Sequence, residues 1–310
     1  MTTTSLERKF AIGVAGLSAW SWAIGARARR AGRRRREAEF SVMPRGDGTV
    51  VEVDQRRPAN AAFGVVFFNG LGLPHEEWTG VRRYLPETAA HVGYNRPGHG
   101  LSSPRDGVTL EEHFEIVDEL RDRYLDGLPV VLVGHSLGGH LAAAYAELRG
   151  GTGLSHVVMV DPTVTADLRA RAGDSADAWT RQRLLMERVW AVAGLNVLRP
   201  LGSFGGHFSD EIRASLTQYH ALPRTWATAY REYLAAHSYR PVRGLDMPLH
   251  VVTALKGTIA ERHLASQQRL LALSERSRHH VYEDVDHMGV VADERCAKAL
   301  AHLASPESRP

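Results

Sequence analysis

The feature of this chain that most clearly indicates catalytic chemistry is a serine flanked by glycines. Residues 131–140 read Val-Leu-Val-Gly-His-Ser-Leu-Gly-Gly-His. The apolar run before Gly134 predicts a strand and the alanine-rich run after Gly138 predicts a helix, so Ser136 would stand at the apex of a sharp strand-to-helix turn. Such a turn strains the serine backbone and leaves no room for a Cβ at either glycine. Ser136 is therefore a candidate nucleophile. A chance Gly-His-Ser-Leu-Gly in a loop is the alternative, and the flanking strand and helix disfavour it.

Two further stretches point to the same family. Residues 65–72 read Val-Val-Phe-Phe-Asn-Gly-Leu-Gly, and residues 94–102 read Tyr-Asn-Arg-Pro-Gly-His-Gly-Leu-Ser. Together with the serine turn they resemble the α/β-hydrolases, a large family of serine esterases, lipases and related enzymes, over about residues 38–304. The family usually has His where this chain has Asn69, and Asp where it has Asn95. The resemblance implies an oxyanion hole made by the backbone amides of Leu71 and Leu137, which neither replacement removes.

The resemblance also implies a base and an acid in the chain order serine, acid, histidine. His287 follows the last predicted strand, where the family has its catalytic histidine, and imidazole suits proton transfer near neutral pH. The usual acid position after strand seven contains no carboxylate, and Glu261 is the first acid beyond it. Some members place the acid after strand six, where this chain has Asp161. Asp161 is favoured over Glu261, although an Asp-Pro pair can also simply end a strand.

The chemistry implied is acyl transfer through a covalent Ser136 intermediate, with His287 moving the proton and Asp161 orienting the imidazole. Apolar residues in the segment after strand six, such as Trp179 and Leu184, favour a small or mid-length apolar ester as substrate. Relatives that open epoxides or remove halide use an aspartate nucleophile, so serine argues against both reactions. Three alternatives stay open: a cofactor-free haloperoxidase or perhydrolase, a carbon–carbon bond hydrolase, and a binding protein that kept the fold without the chemistry. No cofactor is implied, and no metal-ligand spacing stands out.

The rest of the chain alternates strands and helices, as a mostly parallel sheet flanked by helices requires. Strands are predicted at residues 38–43, 49–54, 63–68, 89–94, 129–134, 155–160, 248–254 and 278–282, and helices near 79–87, 109–126, 137–149, 259–274 and 290–304. The segment after strand six is too long for a simple connection and contains helical runs at 176–195 and 210–220. We therefore predict an eight-stranded α/β-hydrolase core from residues 37–161 and 245–310, with a helical cap at 162–244.

Charge is concentrated at the N-terminus. Residues 1–36 hold nine Lys or Arg against one acid, a charge of +8, so with a net charge of +3 the other 274 residues carry −5. A nucleic-acid-binding enzyme body is therefore not indicated. Residues 10–26 are uncharged and apolar, at the short limit for crossing a bilayer. This run, with the arginines after it, predicts either a membrane anchor or interfacial helix, or a disordered tail, and residues 1–36 are expected to be dispensable for catalysis.

The expected location is cytoplasmic, with anchoring to the inner face of the membrane if the N-terminal segment inserts. The single cysteine, Cys296, excludes an internal disulfide and suits a reducing compartment. The composition does not set an oligomeric state.

Overall fold

An eight-stranded sheet organises the described part of the chain. The structure, a computed structural model, describes residue 23 and residues 25–105, 109–196 and 207–306. The strands are β1 (Ser41–Pro44), β2 (Val50–Arg56), β3 (Phe63–Phe68), β4 (Ala89–Tyr94), β5 (Val130–His135), β6 (Leu154–Val160), β7 (Leu249–Ala254) and β8 (Ser277–Tyr282). Their order in the sheet is β1-β2-β4-β3-β5-β6-β7-β8. β2 pairs antiparallel with β1 and β4, and every pair from β4 to β8 is parallel.

Helices cover both faces of this sheet. They are α1 (25–39), α2 (Thr79–Arg83), α3 (Leu110–Tyr124), α4 (Leu137–Arg149), α5 (Thr165–Ala170), α6 (Ser175–Ala193), α7 (Asp210–His220), α8 (Pro223–Ala236), α9 (Ala260–Gln268), α10 (Gly289–Ala292) and α11 (Glu294–Leu303). Two apolar clusters lie on opposite sides of the sheet, one around Val66, Phe68 and Leu132 and the other around Val65, Phe67 and Val131. Consecutive residues of β3 and β5 alternate between the two clusters because side chains alternate along a strand.

The predicted fold is confirmed, and the central strands match the predicted ranges closely. Central strands such as β3 and β5 are buried along their whole length, which is why they show in the sequence as unbroken apolar runs. The predicted helix at 290–304 is instead two helices, because the Asp293 side chain accepts from the Cys296 N–H and caps α11. Helices α5 to α8 lie between β6 and β7, where a cap is predicted; α5 and α8 were not predicted.

The arginine-rich segment does not end in a detached tail. Residues 25–39 form α1, so the predicted boundary after residue 36 falls inside a helix, and the predicted strand at 38–43 starts only at Ser41. The Arg36 side chain is 4% exposed and hydrogen-bonds both Glu52 and Glu76. A chain beginning at Ala38 would leave these buried carboxylates without their guanidinium. Arg36 therefore belongs to the packed core rather than to a separate N-terminal segment, and the dispensability of residues 1–36 for catalysis stays a prediction.

The membrane prediction rests mainly on residues outside the described part of the chain. Residues 10–22 and 24 are among those not described. Among the helices that are described, none combines the length and the apolar character needed to cross a bilayer.

Candidate active site

Ser136 stands between β5 and α4 with φ 54° and ψ −120°. Its backbone N–H donates to the carbonyl of Val160, and its own carbonyl accepts from Thr163. A Cβ on Gly134 would collide with the carbonyl of Gly138, so the helix can follow the strand this closely only with glycine there. The strand, the helix and the end of β6 therefore hold this strained turn in place.

Strain also marks the candidate acid. Ser136 and Asp161 are the two non-glycine residues with positive φ in the described part of the chain, and Asp161 has φ 41° at the carboxyl end of β6. Positive φ is costly for side-chain-bearing residues and persists where the surroundings impose it, typically at functional sites. β5 and β6 are parallel neighbours, so their carboxyl ends bring the two residues to the same edge of the sheet.

The structure brings Asp161 and His287 into direct contact. The His287 Nδ1 lies 2.5 Å from Asp161 Oδ2, and the aspartate side chain is buried while the imidazole is 45% exposed. Desolvation opposes a charge on His287, but the hydrogen bond and charge of Asp161 outweigh it and raise the imidazole pKa above its usual 6.5. Burial likewise opposes the charged form of Asp161, yet hydrogen bonds from His263 and His287 hold the pKa of that carboxyl well below its usual range.

Glu261, the other predicted candidate for the acid, lies on the exposed face of α9. A neighbour on the same helix contacts Asp161 instead: His263 Nε2 lies 2.8 Å from Asp161 Oδ1, which also accepts from the Ala254 N–H at 3.1 Å. Asp161 is thus held from three sides. No sequence signal points to His263, because a lone histidine on a polar helix has no distinctive spacing.

A second buried carboxylate, Glu77, links the loops around Ser136. Its Oε1 accepts from the Gly70 N–H at 2.7 Å, and its Oε2 lies 3.0 Å from His135 Nδ1. The other ring nitrogen of His135 lies 3.0 Å from the backbone carbonyl of His287. Both ring nitrogens of His135 therefore face oxygen atoms, and Glu77 links the loop at Gly70 to His135 and, through it, to the backbone of His287. The sequence does not predict this link, because it joins residues 58 positions apart.

The backbone of the predicted oxyanion loop is fixed by Arg96. Its guanidinium donates to the carbonyls of Asn69 at 2.6 Å and Gly70 at 3.0 Å, and it pairs with Glu232 of α8 at 2.6 Å. Arg96 therefore holds both loop carbonyls in place through hydrogen bonds. Among the described residues the N–H of Leu71 makes no hydrogen bond, and that of Leu137, at the first position of α4, has no acceptor within its helix.

Within the described part of the chain, the Ser136 hydroxyl makes no hydrogen bond to His287. The two residues are connected through His135, the chain neighbour of the serine, whose ring centroid lies 4.6 Å from that of His287. Catalytic hydrogen bonds are often long in the free enzyme and shorten when substrate binds.

One group of possible metal ligands occurs in the described residues. Ligand atoms of Glu52, His75 and Glu76 lie within 4.8 Å of one another. The Arg36 guanidinium hydrogen-bonds both carboxylates and already supplies the positive charge that a cation would bring. The residues therefore suit an internal ion pair better than a metal.

A cleft of about 230 Å³ adjoins the start of α4. Its walls include Leu137 and Leu141 from α4, His113 from α3, and Thr228, Leu234 and Ala235 from α8. Leu137 follows Ser136 in the chain, and neither Ser136 nor His287 is among the residues that line the cleft. Apolar side chains supply much of this wall, and Arg96, Arg105, Arg231 and Glu232 add a charged part.

Comparison with known proteins gives the family. The model of the alpha/beta hydrolase family matches residues 65–301, and the chain therefore belongs to that family. An epoxide hydrolase, Cif from Acinetobacter nosocomialis, has a similar structure, with a TM-score of 0.71 at 16% identity over 93% of this chain and 97% of that one. The enol-lactonase from Burkholderia xenovorans LB400 aligns with a TM-score of 0.57 at 19% identity, over 84% of this chain and 97% of that one. At these identities the likeness concerns the fold.

Similarity to curated proteins is partial. The abhydrolase domain-containing protein abhd-5.2 of Caenorhabditis elegans is 26% identical over 172 residues, which are 54% of this chain and 38% of that protein. The chain spans well under half the length of the curated relatives that it matches.

Proposed function

We propose that this hydrolase cleaves small or mid-length apolar carboxylic esters through a Ser136–His287–Asp161 triad. The observation that carries the proposal is the Asp161–His287 hydrogen bond of 2.5 Å at the sheet edge where Ser136 occupies its strained turn. A buried, ionised Asp161 fixes the proton of His287 on Nδ1, which leaves the Nε2 lone pair available as a base.

In the proposed reaction, each step is carried out by a named residue. His287 removes the hydroxyl proton of Ser136 as the serine oxygen attacks the ester carbonyl carbon. The resulting oxyanion accepts hydrogen bonds from the N–H groups of Leu71 and Leu137, each contributing on the order of 3 kcal/mol. His287 returns the proton to the alcohol as the carbon–oxygen bond breaks. Water, deprotonated by the same imidazole, then hydrolyses the acyl-serine, and the acid is released.

Serine at position 136 also bears on the epoxide hydrolases among the structural neighbours. Relatives that open epoxides attack with an aspartate carboxylate, which Ser136 does not supply. A lactone is a cyclic ester, so the lactonases among the neighbours perform chemistry that the proposed triad would also support.

The size of the cleft supports the substrate class. A volume of about 230 Å³ is below the roughly 300–1,000 Å³ typical of drug-sized ligands. An acyl group of moderate length, packed against Leu137 and Leu141, would fill this space.

A panel of p-nitrophenyl esters from acetyl to dodecanoyl tests the proposal. We expect kcat/KM to be highest for butyryl to octanoyl esters and to fall at least about a thousandfold in Ser136→Ala. Ser175→Ala, a change at an exposed serine of α6, serves as the matched control and should leave the rate unchanged. A preference for acetyl over all longer esters, or for peptides, would contradict the substrate class. Faster turnover with hydrogen peroxide and bromide than with any ester would favour a perhydrolase.

A further inference from the structure

The outward face of helix α6 is apolar although it is in contact with solvent. Its inner face packs on α8, where the buried Leu184 clusters with Ala229 and Tyr233. On the opposite side, large apolar side chains are strongly exposed: Trp179 by 59%, Val189 by 57%, Val192 by 53%, Met186 by 43% and Leu185 by 42%. Spacings of three, four and seven residues place them along one side of the helix, where the exposed Gln182 lies among them. Five large apolar side chains together on one exposed helix face form a patch of the kind that marks an interaction site.

Arginines flank this apolar stripe. Arg183 and Arg188 are exposed, and at about 3.6 residues per turn they fall on either side of the stripe. A further arginine, Arg181, is ion-paired within the helix, and the acid Glu187 is partly buried. The Arg183 guanidinium lies 5.3 Å from the centre of the Trp179 indole ring. An apolar stripe edged by arginines and containing a tryptophan is the pattern of a helix that lies in a membrane interface.

Helix α1 adds exposed arginines close to the end of α6. It starts at the end of α6, where Gly25 approaches Gly194 and the Arg29 guanidinium donates to the Ala191 carbonyl at 3.1 Å. Arg27, Arg30 and Arg34 are exposed and follow one another at spacings of three and four residues, on one side of α1. At a rise of about 1.5 Å per residue, Arg27 and Arg30 lie within about 8 Å of Gly25 along the helix axis. The apolar residues 10–22 precede this point in the chain.

We propose that the outer face of α6 and the exposed arginines of α1, together called the cap face, dock on an anionic phospholipid bilayer. Apolar side chains of α6 would enter the region between headgroups and acyl chains, and the arginines would contact lipid phosphates. Positive charge beside the stripe favours this occupant over a second copy of the chain, because two cap faces would bring like charges together. The proposal concerns binding alone and does not depend on the proposed ester hydrolysis.

Vesicle binding of the full-length chain provides the test. We expect stronger binding to phosphatidylcholine vesicles containing phosphatidylglycerol than to phosphatidylcholine alone. Leu185→Gln should weaken binding about threefold to eightfold, as expected for removing a partly exposed leucine side chain from the apolar phase. Leu148→Gln is its matched control, because Leu148 is 43% exposed near the end of another helix, α4, and should bind like the wild type. A second pair of variants tests the role of charge. Arg30→Gln should bind anionic vesicles about fivefold more weakly than the wild type, whereas Arg278→Gln, the control, should bind them like the wild type.

A second readout reports on the cap face even if residues 10–22 alone hold the chain on the vesicle. Lipids brominated on their acyl chains should quench the fluorescence of Trp179, so the quenched fraction should fall in Trp179→Phe. Equal quenching in Trp179→Phe and wild type would overturn the proposal, as would equal binding by the Leu185→Gln and Leu148→Gln proteins. A lipid-free dimer that Leu185→Gln dissociates, with no change in Trp179 quenching, would assign the cap face to a second copy instead.

Discussion

Replacing Asp161 by asparagine tests how the triad geometry determines the state of the base. The change keeps the size of the side chain and removes its charge. In the structure, Oδ1 accepts from the Ala254 N–H, while Oδ2 accepts from His287 Nδ1. An amide with its oxygen facing Ala254 would point its NH₂ group at Nδ1. The imidazole would then have to accept at Nδ1 and carry its proton on Nε2, where it cannot act as a base.

The expected loss follows from this tautomer change. In a comparable triad, the same substitution lowers kcat about 10⁴-fold, equivalent to about 5 kcal/mol of transition-state stabilisation. We expect a similar loss in kcat for the best p-nitrophenyl ester, with KM nearly unchanged, because Asp161 is buried behind His287. Circular dichroism and urea denaturation of the variant would show that the protein is still folded.

Glu261→Gln is the matched control. Glu261 is exposed on α9 and is not among the residues that hold Asp161, so its loss should change kcat by less than about twofold. An Asp161→Asn enzyme with nearly normal kcat beside a crippled Glu261→Gln enzyme would refute the reasoning and reverse the assignment.

Three further predictions concern pH and the buried ion pairs. Because His287 must be neutral to act as a base and its pKa is raised, kcat/KM should rise with pH through an inflection above 6.5, and a pH profile of Asp161→Asn should show that inflection moved lower. Arg36→Met should lower the free energy of unfolding by urea by about 3–5 kcal/mol, because it leaves Glu52 and Glu76 buried without their cation. Arg33→Met should lower it by less than about 1 kcal/mol, because 68% of the Arg33 side chain is exposed. Equal losses in the two variants would contradict the role given to Arg36. Glu77→Gln can keep the hydrogen bonds to Gly70 and His135 and should unfold like the wild type within about 1 kcal/mol, whereas Glu77→Leu should lose about 3 kcal/mol or more. Equal stability of the two variants would show that these buried hydrogen bonds do not stabilise the fold.

The fold was predictable because its strongest signals are local. Buried parallel strands such as β3 and β5 appear as continuous apolar runs, and the glycines at 134 and 138 mark the close approach of strand and helix. Position at the carboxyl end of a strand was enough to favour Asp161 over Glu261, and the structure places Asp161 against His287.

What the sequence could not show depends on contacts between distant residues. The arginine-rich run was expected to belong to a membrane anchor, an interfacial helix or a disordered tail, since burial of Arg36 becomes favourable only when Glu52 and Glu76, far along the chain, surround it. His263 and Glu77 belong to no motif, and their roles arise where helices meet the end of β6 and the loop after β3. Trp179 was expected to favour an apolar substrate because it is an apolar residue of the cap, whereas in the structure its side chain is 59% exposed to solvent.

The central claim is that Ser136 is a nucleophile activated by His287. A fluorophosphonate probe reacts covalently with such a serine, and mass spectrometry of the digested protein locates the adduct. We predict a single modified peptide, carrying the label on Ser136, with labelling lost in Ser136→Ala and slowed at least about a hundredfold in His287→Ala. Labelling at another serine, or at an unchanged rate in His287→Ala, would contradict the account.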